Sequence, residues 1–126
     1  IRPDVALFHA RCADTRGNVW IGVRRELMLM AHAARETYVT VEEIVDELPP
    51  AMNGIVLPHW IVSAVAPCRG GAYPSYVHDH YARDNSFYQR WDTIARERDG
   101  FLAWMNRHVL ASRDHAAFLA SLQEVA

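Results

Sequence analysis

The sequence predicts an α/β fold: an open, mostly parallel sheet with a C-terminal helical tail. Three observations carry the prediction. Over residues 1–72, short apolar runs alternate with turns and one strong helical segment, the order expected of βαβ architecture. Those runs are near-continuous rather than alternating, as in strands of a sheet covered on both faces. From residue 84 onward, apolar side chains recur at helical spacing. A length of 126 residues suits one domain, read here as 1–126, with a strand-rich part (1–72) and the tail (84–126).

The elements follow in order. Val5–His9 is an apolar run and reads as a buried strand. Ala13–Asn18 is a turn, since Gly17 and Asn18 tolerate positive φ. Val19–Ile21 forms a short strand. Arg24–Ala34 is rich in helix formers, and Leu27–Ala31 are apolar nearly all round, so this helix is expected to be buried on more than one side. Tyr38–Val41 is β-branched and aromatic, hence a strand. Ile44-Val45 continue the apolar character, and Pro49-Pro50 stop regular structure. Gly54–Leu57 is a further short strand, closed by Pro58. Ile61–Ala66 is expected to be a central strand. In the tail, three helices are marked by Phe87, Tyr88, Trp91, Ile94 and Ala95, then Phe101 to Val109, then His115, Phe118, Leu119, Leu122 and Val125. Asp84 or Asn85, Asp99 and Ser112 are the expected N-caps. The stripes with Trp91 and Trp104 are core or subunit interface.

Composition removes several function classes. Net charge is −2, and the 13 positive side chains are scattered among 15 negative ones, so no nucleic-acid footprint is present. No apolar run approaches the roughly 18 residues of a membrane helix, and the first residues read as a lead-in to a strand rather than a signal peptide. The chain does not begin with Met and reads as a fragment or a processed product. Cys12 and Cys68 lack CxxC spacing, which favours free thiols in a reducing cytoplasm. All 13 positive side chains are Arg. Without Lys, neither a Schiff base nor a P-loop can be housed in this stretch.

Four groups of residues carry chemistry. Glu42 and Glu43 follow the strand Tyr38–Val41, and ligands of parallel sheets sit at carboxyl strand ends. They are the candidate nucleophile or base, or else a solvated acidic turn. Arg69-Gly70-Gly71 after an apolar run offers backbone N–H groups to an oxyanion, or is a tight turn needing positive φ. With Ala72 and Tyr73 these glycines form the candidate substrate-binding turn. His78-Asp79-His80 places two histidines on one side of an extended segment. Zinc needs a third ligand, such as His59 or Asp84, and no recognised spacing supplies it, so no metal is assigned. His9 near Cys12 reads as a satisfied core histidine, and nothing in the local sequence supports a Cys–His pair.

Several passages resemble a known family. DVALFHARCADTRGNVW, VTVEEIVDELP and VAPCRGGAYPSYVHDHYARDNSFYQRW, in this order and spacing, resemble the A subunits of family I CoA-transferases, in particular the glutaconate CoA-transferase-like and steroid-ring CoA-hydrolase-like branch. The likeness extends to about Trp104 and corresponds to the C-terminal half of such a chain. It implies an open α/β fold of the CoA-transferase (NagB/RpiA-like) kind, acyl-CoA substrates with coenzyme A as co-substrate, and no resident cofactor. It implies a cytoplasmic bacterial catabolic enzyme built as an A–B heterodimer. Catalysis in the family uses a glutamate that becomes a glutamyl-CoA thioester. That glutamate lies in the B subunit, or in the preceding half of the A subunit, so none is carried over to this chain. Tyr73 stands where the family usually has His, and Cys68-Arg69 fill the place of a smaller turn. The expected partners are a B subunit, the N-terminal half of an A subunit, or both. The alternative reading is a non-catalytic assembly module. A third, an independent cysteine- or metal-dependent hydrolase, has less support.

Overall fold

A computed structural model describes residues 1–50 and 52–123. They form two compact units: Ile1–Gly71 with Val77–His80, and Ala72–Tyr76 with the chain from Tyr81 on.

The first unit holds β1 (Val5–Asp14), β2 (Val19–Gly22), α1 (Arg25–Ala33), β3 (Glu36–Val45), β4 (Ile55–Leu57) and β5 (Ala64–Pro67). The sheet order is β4-β2-β1-β3-β5. Strands β1, β3 and β5 are parallel, whereas β2 and β4 add antiparallel on the other side, so the sheet is mixed. The long pair β1–β3 is its backbone. Both strands run further than their apolar cores suggest, to Asp14 and to Val45, because each supplies the other's ladder hydrogen bonds over ten residues.

The core gathers around this sheet and α1. Ala10, Ala13, Val19, Ile21, Val39, Val41 and Leu57 cluster with Leu27 and Ala31 of α1. Only Leu27 and Ala31 of that helix are buried; Leu29 is 65% exposed, so burial on several sides does not hold. Nor is the sheet covered on both faces throughout. Val5, Leu7 and Tyr38 alternate with buried neighbours and are exposed, Leu7 by 68%. The described part of this unit contains a single α-helix, which leaves the opposite face of these residues open.

The expected strand Ile61–Ala66 divides. His59–Ile61 is a 3-10 turn after Pro58, and the strand begins at Ala64, where Tyr38 becomes available for pairing. Its place is also corrected: β5 pairs with β3 alone among the described residues and is an edge strand, not a central one.

The second unit is helical: α2 (Asn85–Ile94), α3 (Arg98–Trp104) running into a π-helical stretch (Met105–Leu110), and α4 (His115–Gln123). Aromatic side chains join these elements. Phe87 stacks on Trp91 at 6.0 Å, Trp91 meets Trp104 edge-on at 4.8 Å, and Trp104 reaches His108 and Phe118. Of the expected caps, Asp84 holds: its Oδ1 accepts the Phe87 N–H at 2.9 Å. Asp99 does not cap; it lies inside the first turn of α3, behind Glu97. Ser112 instead donates to the His108 carbonyl at the end of the preceding helix, and Asp114 accepts the Ala117 N–H. Val125 of the last stripe lies outside the described residues. No helix of the described residues is long and apolar enough to cross a membrane.

The β1–β2 turn rests on Asp14, which is buried. Its Oδ1 accepts the N–H groups of Arg16 and Asn18, and its Oδ2 accepts the Asn18 amide at 2.7 Å. Burial pushes this carboxyl up, but the Asn18 side-chain and backbone bonds and the Arg16 N–H together outweigh it and hold it below the ordinary value of 3.8. Asp14→Ala should therefore cost about 1–3 kcal/mol at neutral pH. A group with a depressed folded value stabilises fully above its unfolded value, and that contribution fades as pH falls through the folded one. Urea unfolding of wild type and variant checks both: a gap that stays constant from pH 7 to pH 2 contradicts this account.

Candidate functional site

The parallel register builds the site. His9 on β1 lies opposite Thr40 on β3. Residues two apart on a strand share a face, so Glu42 follows Thr40 on the same side. Strand β5 stops at Pro67, opposite Val41. Glu42 thus sits just past the carboxyl end of β5, not after β3 as its local sequence suggests, because β3 continues to Val45. There the chain turns back: Cys68 N–H donates to the Val41 carbonyl at 2.7 Å and Gly71 N–H to the Cys68 carbonyl at 2.9 Å.

Glu42 is only 3% exposed. A buried carboxylate is tolerated where it is paired and hydrogen-bonded. Its Oε1 lies 2.7 Å from His9 Nε2, and its Oε2 accepts the Gly70 N–H at 2.8 Å. His9 Nδ1 lies 2.9 Å from Thr40 Oγ1. An ionised Glu42 only accepts, so His9 donates to it through Nε2–H; a neutral ring then accepts the Thr40 hydroxyl hydrogen bond at Nδ1. The result is a continuous chain from the sheet to the turn: Thr40, His9, Glu42, Gly70.

The structure favours glycine at both positions of the turn, for different reasons. Gly70 sits at φ 74, in the left-handed region that L side chains rarely adopt. Gly71 has no such φ; it is a matter of space. A Cβ there would lie 2.6 Å from His9 Nδ1 and 2.8 Å from the Cys68 carbonyl oxygen. The same geometry answers the oxyanion reading. The Gly70 N–H is directed at Glu42 and the Gly71 N–H at Cys68, so both have internal acceptors.

The remaining candidates are distributed. Glu43 points away from Glu42, being the next residue on a strand, and approaches His80 Nε2 at 3.9 Å. Asp79, with φ 65, carries a carboxylate 3.2 Å from Arg11 Nη1 and 3.4 Å from His78 Nε2. Among the described residues no group of three His, Cys, Asp or Glu side chains could hold a metal. Neither thiol is activated. Burial, then the Glu42 charge, pushes Cys68 up; burial does so for Cys12, outweighing the opposing Arg11 charge, with a smaller push from Glu43. His9 and Cys12, three apart on β1, face opposite sides of it.

Ala72 and Tyr73 fall in the second unit. Ala72 N–H donates to the Tyr81 hydroxyl at 3.0 Å. Tyr73 donates to Asp84 Oδ2 at 2.6 Å, and burial, followed by that bond, pushes its phenol up to about 12. Bonds from Ser86, Tyr73 and the Phe87 N–H hold the Asp84 carboxyl well below the usual range. The tyrosine hydroxyl is thus anchored to the cap of α2.

Comparisons with known proteins follow the same lines. No protein-family model matches the chain. It is 48% identical, over 98% of its length, to the A subunit of the 3-oxoadipate CoA-transferase of Pseudomonas knackmussii, of which it covers 44%. It is 34% identical to the A subunit of the glutaconate CoA-transferase of Acidaminococcus fermentans, over 94% of this chain and 38% of that one. The crystal structure of glutaconate coenzyme A-transferase from the same organism matches 98% of this chain and 40% of that chain with a TM-score of 0.86, at 32% identity. A variant of the decarboxylase AibA/AibB matches 85% of this chain and 40% of that chain with a TM-score of 0.69, at 35% identity. The chain therefore spans about two fifths of the length of the relatives it matches.

The close approach of Gly71 to His9 is directly testable. Gly71→Ala should destabilise by about 1–3 kcal/mol through overpacking. The share of that penalty owed to the ring should vanish when His9 is also replaced by Ala, and the share owed to the Cys68 carbonyl should remain. A double-mutant cycle by urea unfolding checks this; equal penalties in both backgrounds would exclude the contact as the cause.

Proposed function

We propose that this chain, a relative of the CoA-transferase A subunits in sequence and fold, is the C-terminal half of the A subunit of a CoA-transferase or a related acyl-CoA hydrolase. The observation that carries the reading is the 48% identity along nearly the whole chain to the A subunit of a 3-oxoadipate CoA-transferase. Residues 1–126 would act as one domain of that polypeptide.

The chemistry is acyl transfer at a thioester carbonyl. A glutamate carboxylate of the enzyme attacks the acyl-CoA and expels CoA thiolate, leaving a mixed anhydride. The thiolate then attacks the glutamyl carbon, releasing the free acid and leaving a glutamyl-CoA thioester. Carboxylate or water completes the cycle. We place that glutamate outside this chain, because Glu42 is buried with a hydrogen bond on each oxygen and Glu43 lies against His80. The share of residues 1–126 is the pocket wall, with Gly70 and Gly71 setting the turn and Ala72 and Tyr73 following it. Coenzyme A enters as co-substrate, with no resident cofactor.

The partners are the N-terminal half of an A subunit, together with a B subunit. Exposed Val5, Leu7 and Tyr38 on one sheet face, and the edge position of β5, support a neighbouring polypeptide. Two free thiols support a cytoplasmic, reducing setting. A purely assembling role is the second reading, favoured by the internal partners that the polar groups of the turn already have.

Two measurements test this on the assembled enzyme. Both curated relatives are named for dicarboxylates, so dicarboxylic acyl-CoAs come first. Borohydride reduction during turnover should trap a modified glutamate in a peptide outside residues 1–126. If no acyl-CoA yields a trapped thioester, the assembling role stands instead. Gly71→Val should lower turnover on the order of 10²-fold, as small misplacements at reacting sites do, while the helical second unit keeps its circular dichroism. Wild-type turnover by that variant would remove the turn from the pocket.

A further inference from the structure

The geometry points to Glu42 and His9 as a positioning pair that fixes the Gly70-Gly71 turn over the end of β5. This assignment rests on the reading of that turn as pocket wall, and it gives Glu42 a role other than attack.

Three observations converge. The Glu42 carboxylate spans two chain segments, with Oε1 on His9 of β1 at 2.7 Å and Oε2 on the backbone N–H of Gly70 at 2.8 Å. His9 is held from its other nitrogen by Thr40 at 2.9 Å, so the ring cannot rotate without losing a partner. The ring also fills the space a Cβ on Gly71 would need, with 2.6 Å between that position and Nδ1. The turn is therefore held from two directions. Glu42 grips Gly70 by a charge-assisted bond, and the His9 ring supports the Gly71 backbone from below. Side chains of this kind act on a reaction by holding another group in place.

A nucleophile and a positioning carboxylate differ in what an amide does in their place. Glu42→Gln cannot attack a thioester. It can still hold the turn: its oxygen accepts the Gly70 N–H, and its NH2 donates to His9 Nε2. The ring then carries its proton on Nδ1 and donates to Thr40. Glu42→Ala leaves both Gly70 N–H and His9 without this partner.

The test compares Glu42→Gln and Glu42→Ala with wild type in the assembled enzyme, by acyl-CoA turnover and by NMR of 15N-labelled His and Gly. The Gln variant should stay within about tenfold of wild type, and the Ala variant should fall on the order of 10²-fold. His9 should switch from the Nε2–H to the Nδ1–H tautomer in the Gln variant. Gly70 and Gly71 amide resonances should stay in place with Gln and move with Ala. A Gln variant as inactive as Ala, with borohydride trapping on Glu42 of the wild type, would make Glu42 the nucleophile and overturn the assignment. So would Gly70 and Gly71 resonances unmoved by Ala. If wild type turns over no acyl-CoA, the functional reading fails while the NMR comparison still decides the positioning pair.

Discussion

The parallel pairing of β1 with β3 is the constraint on which the first unit depends. Its register puts His9 beside Thr40 and extends from Val5 to Asp14. A slip of one residue would turn every side chain of a strand to the other face. Val39 and Val41 would leave the core, and Thr40 and Glu42 would enter it. The apolar face resists that slip, and the polar chain on the opposite face is its by-product: core packing on one side places three hydrogen-bonding side chains in line on the other. The Asp14 turn closes the same strand, so the register is bounded at its end by a polar anchor as well.

The end of β5 is held by the same sheet. Among the described residues β5 is an edge strand of four residues, with little of its own to hold its exit in place. Here the exit is held by the sheet it leaves. Cys68 returns a hydrogen bond to Val41, and Gly70 donates to Glu42. The buried carboxylate would be costly alone. In place, it joins a turn to two strands with charge-assisted bonds, which are roughly twice as strong as neutral ones. Close packing of Gly71 on the His9 ring then removes the freedom that two glycines would otherwise give the turn.

Much of this was legible in the sequence, and the rest was hidden for identifiable reasons. The β-branched run Tyr38–Val41, the apolar run of β1 and the Asp84 cap announce themselves locally, since each depends on neighbours within a few residues. Glu42 and the glycine pair also stand out, but their connection does not. They are joined by the parallel register of β3 with β5, segments far apart in sequence, which no local pattern encodes. The role of His9 stayed hidden for that reason. Its environment is made by Thr40, Glu42 and Gly71, none of them a sequence neighbour. The only signal it left was a polar residue inside an apolar strand. The expected central strand Ile61–Ala66 failed similarly, because an apolar run states its burial but not its neighbours. The caps Asp99 and Ser112 missed because the boundaries of short helices shift by a residue or two.

The two glycines of the turn answer to different constraints. Resemblance covers the Gly-Gly passage as a whole. Physics separates its two members. Gly70 answers to backbone conformation, so a residue tolerant of the left-handed region could replace it at modest cost. Gly71 answers to space, which the His9 ring and the Cys68 carbonyl both take up. A smaller residue in place of His9 would remove the nearest obstacle to a side chain at Gly71, but the Cys68 carbonyl at 2.8 Å would remain. The turn, the histidine and the carboxylate thus constrain one another, and a change at any one of them is felt at the same backbone.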